Sequence, residues 1–118
     1  MSYDINLIDP VTKTVLLVNE PHQMAGGTYA IGGIRELSLN ITYNYSVHYR
    51  RVLGKDGIRS LYGKTGAEAI PILEVAMAAL DDDVDENYWA ATEGNAKRTL
   101  YQLLAMAQMR PDGVFKGD

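Results

Sequence analysis

The apolar residues of this chain change their period part-way along, and that change limits the folds open to it. Up to residue 41 they recur at every second position. Tyr3, Ile5 and Leu7 alternate with Asp4 and Asn6, and Leu37, Leu39 and Ile41 fall on one face. Such alternation marks half-buried strands. Beyond residue 70 the spacing is helical: Ile70, Leu73, Met77 and Leu80, with Ala76, form one stripe, and Ala96, Leu100, Leu103 and Ala107 another. Strands followed by helices predict an α+β fold: a small antiparallel sheet from the N-terminal half, with three to four helices from the C-terminal half packed on one side. At 118 residues a single domain should span 1–118, with strands mainly in 1–42, helices mainly in 43–110 and a tail at 111–118.

Local signals fill in this outline. Asp9-Pro10 supplies turn chemistry for a hairpin between the first strand and residues 14–18. Residues 20–27 read as a loop carrying Pro21 and Gly26-Gly27. Residues 28–31 read as a short strand, Gly32-Gly33 as a turn and 35–41 as a further strand, so the sheet is expected to be a meander. Thr42 or Asn44 caps a helix running to about Leu53, and Gly54 and Gly57 bracket a turn. Thr65 and Glu68 have capping-box spacing, but Pro71 removes a hydrogen bond one turn in, which places the start of the regular helix at Ile70. Asp83 and Glu86 suggest a second capping box, for a short helix containing Tyr88 and Trp89 that Gly94 interrupts. The last helix should end before Pro111-Asp112-Gly113.

Charge is distributed unevenly. Residues 40–66 hold Arg50, Arg51, Lys55, Arg59 and Lys64 against one acid, Asp56, and are therefore +4; a chain of net charge −4 is −8 elsewhere. The same stretch holds Tyr43, Tyr45, Tyr49 and Tyr62, four of the eight tyrosines. A cationic, phenol-rich segment in an acidic protein suits a small anionic ligand with flat groups, such as a nucleotide. Arg50, Arg51, Arg59 and Lys64 would meet phosphates, since arginine forks bind phosphate bidentately and stack on rings. Tyr43, Tyr45, Tyr49 and Tyr62 would stack or hydrogen-bond, and Asn40, Thr42 and Asn44 would read polar edges. Thr65 and the amides of Gly66 and Ala67 lie at an expected helix N-terminus, which favours an anion. The structural alternative is that Thr65 only caps its helix and that the tyrosines pack in the core.

Other chemistries find little support. Five residues separate Gly57 from Gly63 in the segment ending Gly63-Lys64-Thr65, whereas a P-loop requires four. His22 and His48 lack close ligand spacing, and no cysteine is present, so neither a metal nor another cofactor is expected. Asp81, Asp83 and Asp85 match the first ligands of an EF-hand loop, but Glu86 and Thr92 stand where its glycine and bidentate glutamate belong. No nucleophile–base pair can be assembled, so the reading is non-enzymatic. The basic residues are too few for extended nucleic acid, and no apolar run has the length of a membrane span. With no leader-like N-terminal segment and no cysteines, a cytoplasmic setting is expected.

The segments Gly26-Gly27-Thr28-Tyr29-Ala30, Leu39-Asn40-Ile41-Thr42-Tyr43-Asn44-Tyr45-Ser46, Gly57-Ile58-Arg59-Ser60-Leu61-Tyr62-Gly63-Lys64-Thr65-Gly66 and Arg110-Pro111-Asp112-Gly113 resemble those of small uncharacterised bacteriophage and prophage proteins. The resemblance carries no site residues. It implies an accessory phage product working in the host cytoplasm, and by analogy an anti-defence protein that sequesters an immune signal. A homo-oligomer would give so short a chain a deeper pocket. The alternative function is a protein–protein inhibitor or immunity-type module, in which the acidic residues of 81–86 beside Tyr88 and Trp89 face a basic protein partner.

Overall fold

The structure, a computed structural model, describes residues 1–24 and 32–118. The expected Gly26-Gly27 loop segment and the strand at 28–31 lie outside the described residues. The fold is α+β. Strand β1 (Ser2–Ile8) lies at the centre of a three-stranded antiparallel sheet, with β4 (Ser38–Thr42) on one side and β5 (Val114–Gly117) on the other. Strands β2 (Leu17–His22) and β3 (Ile34–Glu36) form a separate antiparallel ribbon. A 3₁₀ turn at Tyr43–Tyr45 leads into α1 (Ser46–Leu53). A second 3₁₀ segment at Gly57–Leu61 follows, then α2 (Gly66–Ala78) and α3 (Glu93–Met109).

The register explains why helices cover one face only. Tyr3 pairs with Ile41, Ile5 with Leu39, and Leu7 with Phe115, so the inward positions of all three strands line up. These six residues are buried and join one core with Leu73, Leu100 and Leu103 of α2 and α3. The opposite face is polar. There Asn6 accepts from Ser38 Oγ at 2.5 Å, and Asn40 Nδ2 donates to Asp4 Oδ1 at 2.7 Å.

Both sheet edges are closed, and this is where the fold departs most from expectation. Residues 111–118 are not a tail: 114–117 form the third strand. Its outer edge is bonded in turn by the segment before α2, where Gly63 N–H donates to Phe115 O and Phe115 N–H to Lys64 O, both at 2.9 Å. The outer edge of β4 is covered by one phenol: Tyr88 Oη accepts from Thr42 N–H at 3.0 Å and donates to Asn40 O at 3.3 Å. Capping an edge in these ways prevents a second chain from pairing there. Nor do residues 14–18 form a full hairpin with β1. They make an isolated bridge, Ile8 to Val15, and the chain leaves to build the ribbon. Since β4 and β5 occupy both sides of β1, the meander is replaced by a sheet that joins the two chain ends.

Two helical expectations also change. Helix α2 begins at Gly66 rather than Ile70 and keeps Pro71 inside it. The Thr65–Glu68 capping box forms in both directions, with Thr65 Oγ1 accepting from Glu68 N–H at 3.1 Å and Glu68 Oε1 from Thr65 N–H at 2.9 Å. The cap fixes the first turn, and Pro71 stays within the helix beyond it. No helix forms around Tyr88 and Trp89. Residues 81–92 are an irregular loop folded over Asn95, whose buried side chain accepts from Asp85 N–H and donates to Asn87 O and Ala90 O.

Candidate functional site

The basic stretch folds into a tight reversal that gathers its charges. Helix α1 stops at Gly54, whose φ of 99° is open to glycine. Gly57 N–H then donates to Gly54 O at 2.8 Å, and the second 3₁₀ segment runs back along α1. Gly57 has φ +58°, and a Cβ there would lie 3.4 Å from Tyr49 Cβ and 3.5 Å from Arg50 Cγ. A Cβ would fit there at ordinary contact distance, so it is the positive φ that calls for glycine at this return of the chain. The return places Arg50 from the last turn of α1, Lys55 from the reversal and Arg59 from the 3₁₀ segment around one pocket of about 250 Å³. Tyr3, Asp56 and Gly57 complete its lining.

Arg59 is the fixed member of this group. Its Nε donates to Asp118 O at 2.9 Å and its Nη2 to Tyr43 Oη at 3.2 Å. Its guanidinium carbon lies 5.0 Å from the Tyr3 ring centre and 5.7 Å from that of Tyr43, and those rings meet edge-on at 4.5 Å. Cation–π attraction and two hydrogen bonds thus orient the fork. Tyr3 is held from the other side, sharing a 2.6 Å hydrogen bond between its hydroxyl and Ser46 Oγ. Arg50 and Lys55 are exposed, and among the described residues neither makes a hydrogen bond or ion pair through its side chain. Counting Arg50, Lys55 and Arg59 against Asp56, the lining is +2.

Of the twelve residues expected to bind ligand, the structure brings two, Arg50 and Arg59, to this pocket, with Tyr43 beside it through Arg59. The others have different work. Tyr45 and Tyr49 are both 0 % exposed, which corrects their assignment as ligand-facing rings. Tyr45 Oη donates to Tyr88 O, and Tyr49 Oη shares a hydrogen bond with Thr99 Oγ1. Burial pushes the Tyr45 hydroxyl up to about 12 and the Tyr49 hydroxyl well above its usual range. Thr42 is also buried and caps the first 3₁₀ turn by accepting from Asn44 N–H.

Asn40 lies on the polar sheet face, bonded to Ser2 and Asp4, and Asn44 Nδ2 donates to Trp89 O at 2.9 Å. Arg51 points away from the pocket and pairs with Glu93 at 2.8 Å. Tyr62 packs on Gly117. Burial first, and the nearby Asp118 carboxylate second, push its hydroxyl up to about 12. Lys64 contributes backbone to the β5 edge, and its charge lies near Glu68.

The expected anion site at the start of α2 is closed. Thr65 is spent in the capping box, while Gly66 N–H donates to Gly113 O at 2.8 Å and Ala67 N–H to Pro111 O at 3.0 Å. The Pro111-Asp112-Gly113 turn supplies the carbonyls that an anion would otherwise replace.

Four lining residues, Tyr3, Lys55, Asp56 and Gly57, fall outside the set expected from sequence. Lys55 stands between Gly54 and Gly57, and that bracket was the signal that it shares a turn with Arg50 and Arg59. Tyr3 reads as a plain core position because it alternates in step with Ile5 and Leu7.

Neither histidine lines the pocket: His48 Nε2 donates to Ala91 O and His22 Nε2 to Glu36 O. Among the described residues no group of three or more His, Cys, Asp or Glu is placed to hold a metal ion. No described helix is long and apolar enough to cross a membrane. In the acidic loop, Asp82 pairs with Lys97 at 2.8 Å, Asp83 accepts from Gly94 N–H, and Asp85 accepts from Asn87 N–H. Those three carboxylates hold the loop's own shape, while Val84 and Trp89 remain more than half exposed. No family model, curated protein or solved structure matches the chain.

Proposed function

We propose that the protein captures a small anionic ligand in the pocket between α1 and the following 3₁₀ segment, without chemically changing it. One observation carries this reading: three cations from successive elements converge on one hollow, two of them with no internal partner. Unpaired charges of one sign held around a concavity raise the local potential for a counter-ion. The lining supplies donors and a phenol but no nucleophile set beside a base, which favours binding over turnover. A nucleotide-derived ligand suits the site, with its phosphate at the cations. Taken with the resemblance to phage and prophage proteins, this reading favours sequestration of a host signal nucleotide as the biological setting.

Isothermal titration of the full chain against a panel of mono- and dinucleotides, at low and moderate salt, tests it. Binding that weakens with salt and is lost in Arg50→Ala and Lys55→Ala supports the reading; both positions are exposed, so these variants keep the fold. No heat from any ligand, or binding indifferent to both substitutions, overturns it. The second reading, docking of a basic protein on residues 81–89, draws on the exposure of Val84 and Trp89. It is weakened by the internal bonds of Asp82, Asp83 and Asp85.

A further inference from the structure

The geometry points to a narrower ligand class: we infer that the pocket selects the dianionic end of a phosphate monoester over a phosphodiester, and reads little of what the phosphate is attached to. This rests on the anion-capture reading above.

Three features of the pocket lead there. The first is charge. Arg50, Lys55 and Arg59 outnumber Asp56 by two, and a monoester above its second pKa of about 6 carries close to two negative charges. A diester carries one, which would leave a positive charge uncompensated.

The second is donor geometry. A terminal phosphate presents three acceptor oxygens, and three separate cationic side chains surround the hollow. Arg59 has two of its donors tied to Asp118 O and Tyr43 Oη, and the rest of its fork remains for the ligand. Arg50 and Lys55 bring their full donor sets. Esterifying a second oxygen removes one strong acceptor and adds bulk at the charged end.

The third is size. Pockets that enclose drug-sized ligands run to roughly 300–1,000 Å³, and this one offers about 250 Å³. It therefore takes a phosphate with the first few atoms attached, and a nucleobase would lie largely outside. No second aromatic lines the hollow with Tyr3, so base identity has little to act on there.

The test uses the full chain with three probes: adenosine 5′-monophosphate, its O-methyl phosphodiester and ribose 5-phosphate, titrated at about pH 7.5, where the monoesters are dianions. The nucleotide and its methyl ester share base and sugar and differ by one charge and one methyl group. The monoester should bind at least about tenfold tighter than the diester, allowing for solvent and salt screening at a partly open site. Ribose 5-phosphate should fall within about threefold of the nucleotide, because the base stays outside the pocket. A methyl ester that binds as tightly as the monoester overturns the dianion selectivity while leaving anion capture standing. A nucleotide that binds far more tightly than ribose 5-phosphate overturns the claim that only the phosphate end is read. If none of the three binds, or Arg50→Ala and Lys55→Ala leave the affinities unchanged, capture at this pocket fails together with the inference.

Discussion

Replacing Asn95 with alanine should destabilise the protein by about 2–3 kcal/mol, because this side chain is the internal frame of the loop at residues 81–92. Asn95 is 3 % exposed at the start of α3. Its Oδ1 accepts from Asp85 N–H at 3.0 Å, and its Nδ2 donates to Asn87 O at 3.0 Å and Ala90 O at 3.1 Å. Each such bond is worth roughly 0.5–1.5 kcal/mol net, so three give about 1.5–4.5 kcal/mol. Asn87 is exposed, and water can replace part of what its carbonyl loses, which moves the figure toward the middle of that span. The loss is a large share of the roughly 5–15 kcal/mol typical of a domain. Urea denaturation followed by far-ultraviolet circular dichroism measures it. Trp89, the single tryptophan, sits on the same loop and reports its local state by fluorescence. The consequences should spread, since the loop carries Tyr88, whose hydroxyl closes the edge of β4. A change below about 0.5 kcal/mol with unaltered Trp89 emission would refute the view that Asn95 shapes this loop.

Further outcomes follow from contacts in the core and at the start of α2. Tyr49→Phe should cost only about 1 kcal/mol, because Thr99 Oγ1 still donates to Ala96 O at 2.6 Å. Tyr49→Ala should cost about 3–5 kcal/mol through the cavity it leaves, and equal costs in thermal or urea melts would argue against a packed core role. Gly66→Ala should lower stability, although alanine is the better helix former. A Cβ there would lie 2.9 Å from Arg110 O and 3.0 Å from Pro111 Cα, so a raised melting temperature would show that the α2 start is not held against that turn.

In alkali, Tyr45 and Tyr62 should stay protonated to about pH 12, and Tyr49 should resist as well. Their folded values are raised, so the stability they lend is full below the ordinary tyrosine value of 10.0 and is lost as pH climbs toward about 12. Near-ultraviolet absorbance should show a late phenolate step coinciding with unfolding. A single early step involving all the tyrosines would contradict their burial.

The fold class was legible in the sequence because period is a strong signal where one face of an element is buried. Tyr3, Ile5 and Leu7, and Leu37, Leu39 and Ile41, were placed by alternation alone, and all six are core residues. Pairing was less legible. Nothing in Val114-Phe115-Lys116-Gly117 distinguishes a strand from a chain end, because four residues hold too little alternation to count. Their place is fixed by distant partners: Leu7 opposite Phe115, and the Gly63 and Lys64 backbone beyond it. The missing helix at Tyr88 has a similar cause. The Asp83 and Glu86 spacing was present, but Asp83 accepts from Gly94 N–H and Asp85 N–H is taken by Asn95, so the chain is held out of helical geometry by a helix that follows it.

The candidate site divides along the same line. Its cations were legible because charge density along a short segment survives folding whenever the segment turns back on itself, and Gly54 and Gly57 dictated that turn. Its aromatics were not, since a phenol in an amphipathic segment suits either the core or a ligand. A helical count would have decided between them. Tyr45, Tyr49, Val52 and Leu53 stand at i, i+4, i+7 and i+8, an apolar stripe that packs into the core and includes both buried rings. Arg50 lies next to Tyr49 in sequence and about 100° around the helix, so the rotation that sends the ring inward turns the guanidinium out toward Lys55 and Arg59. The separation of ring from charge is thus a consequence of α1 forming at all. It leaves the cationic pocket with Tyr3, an aromatic from another element, in place of the tyrosines that are its neighbours in sequence.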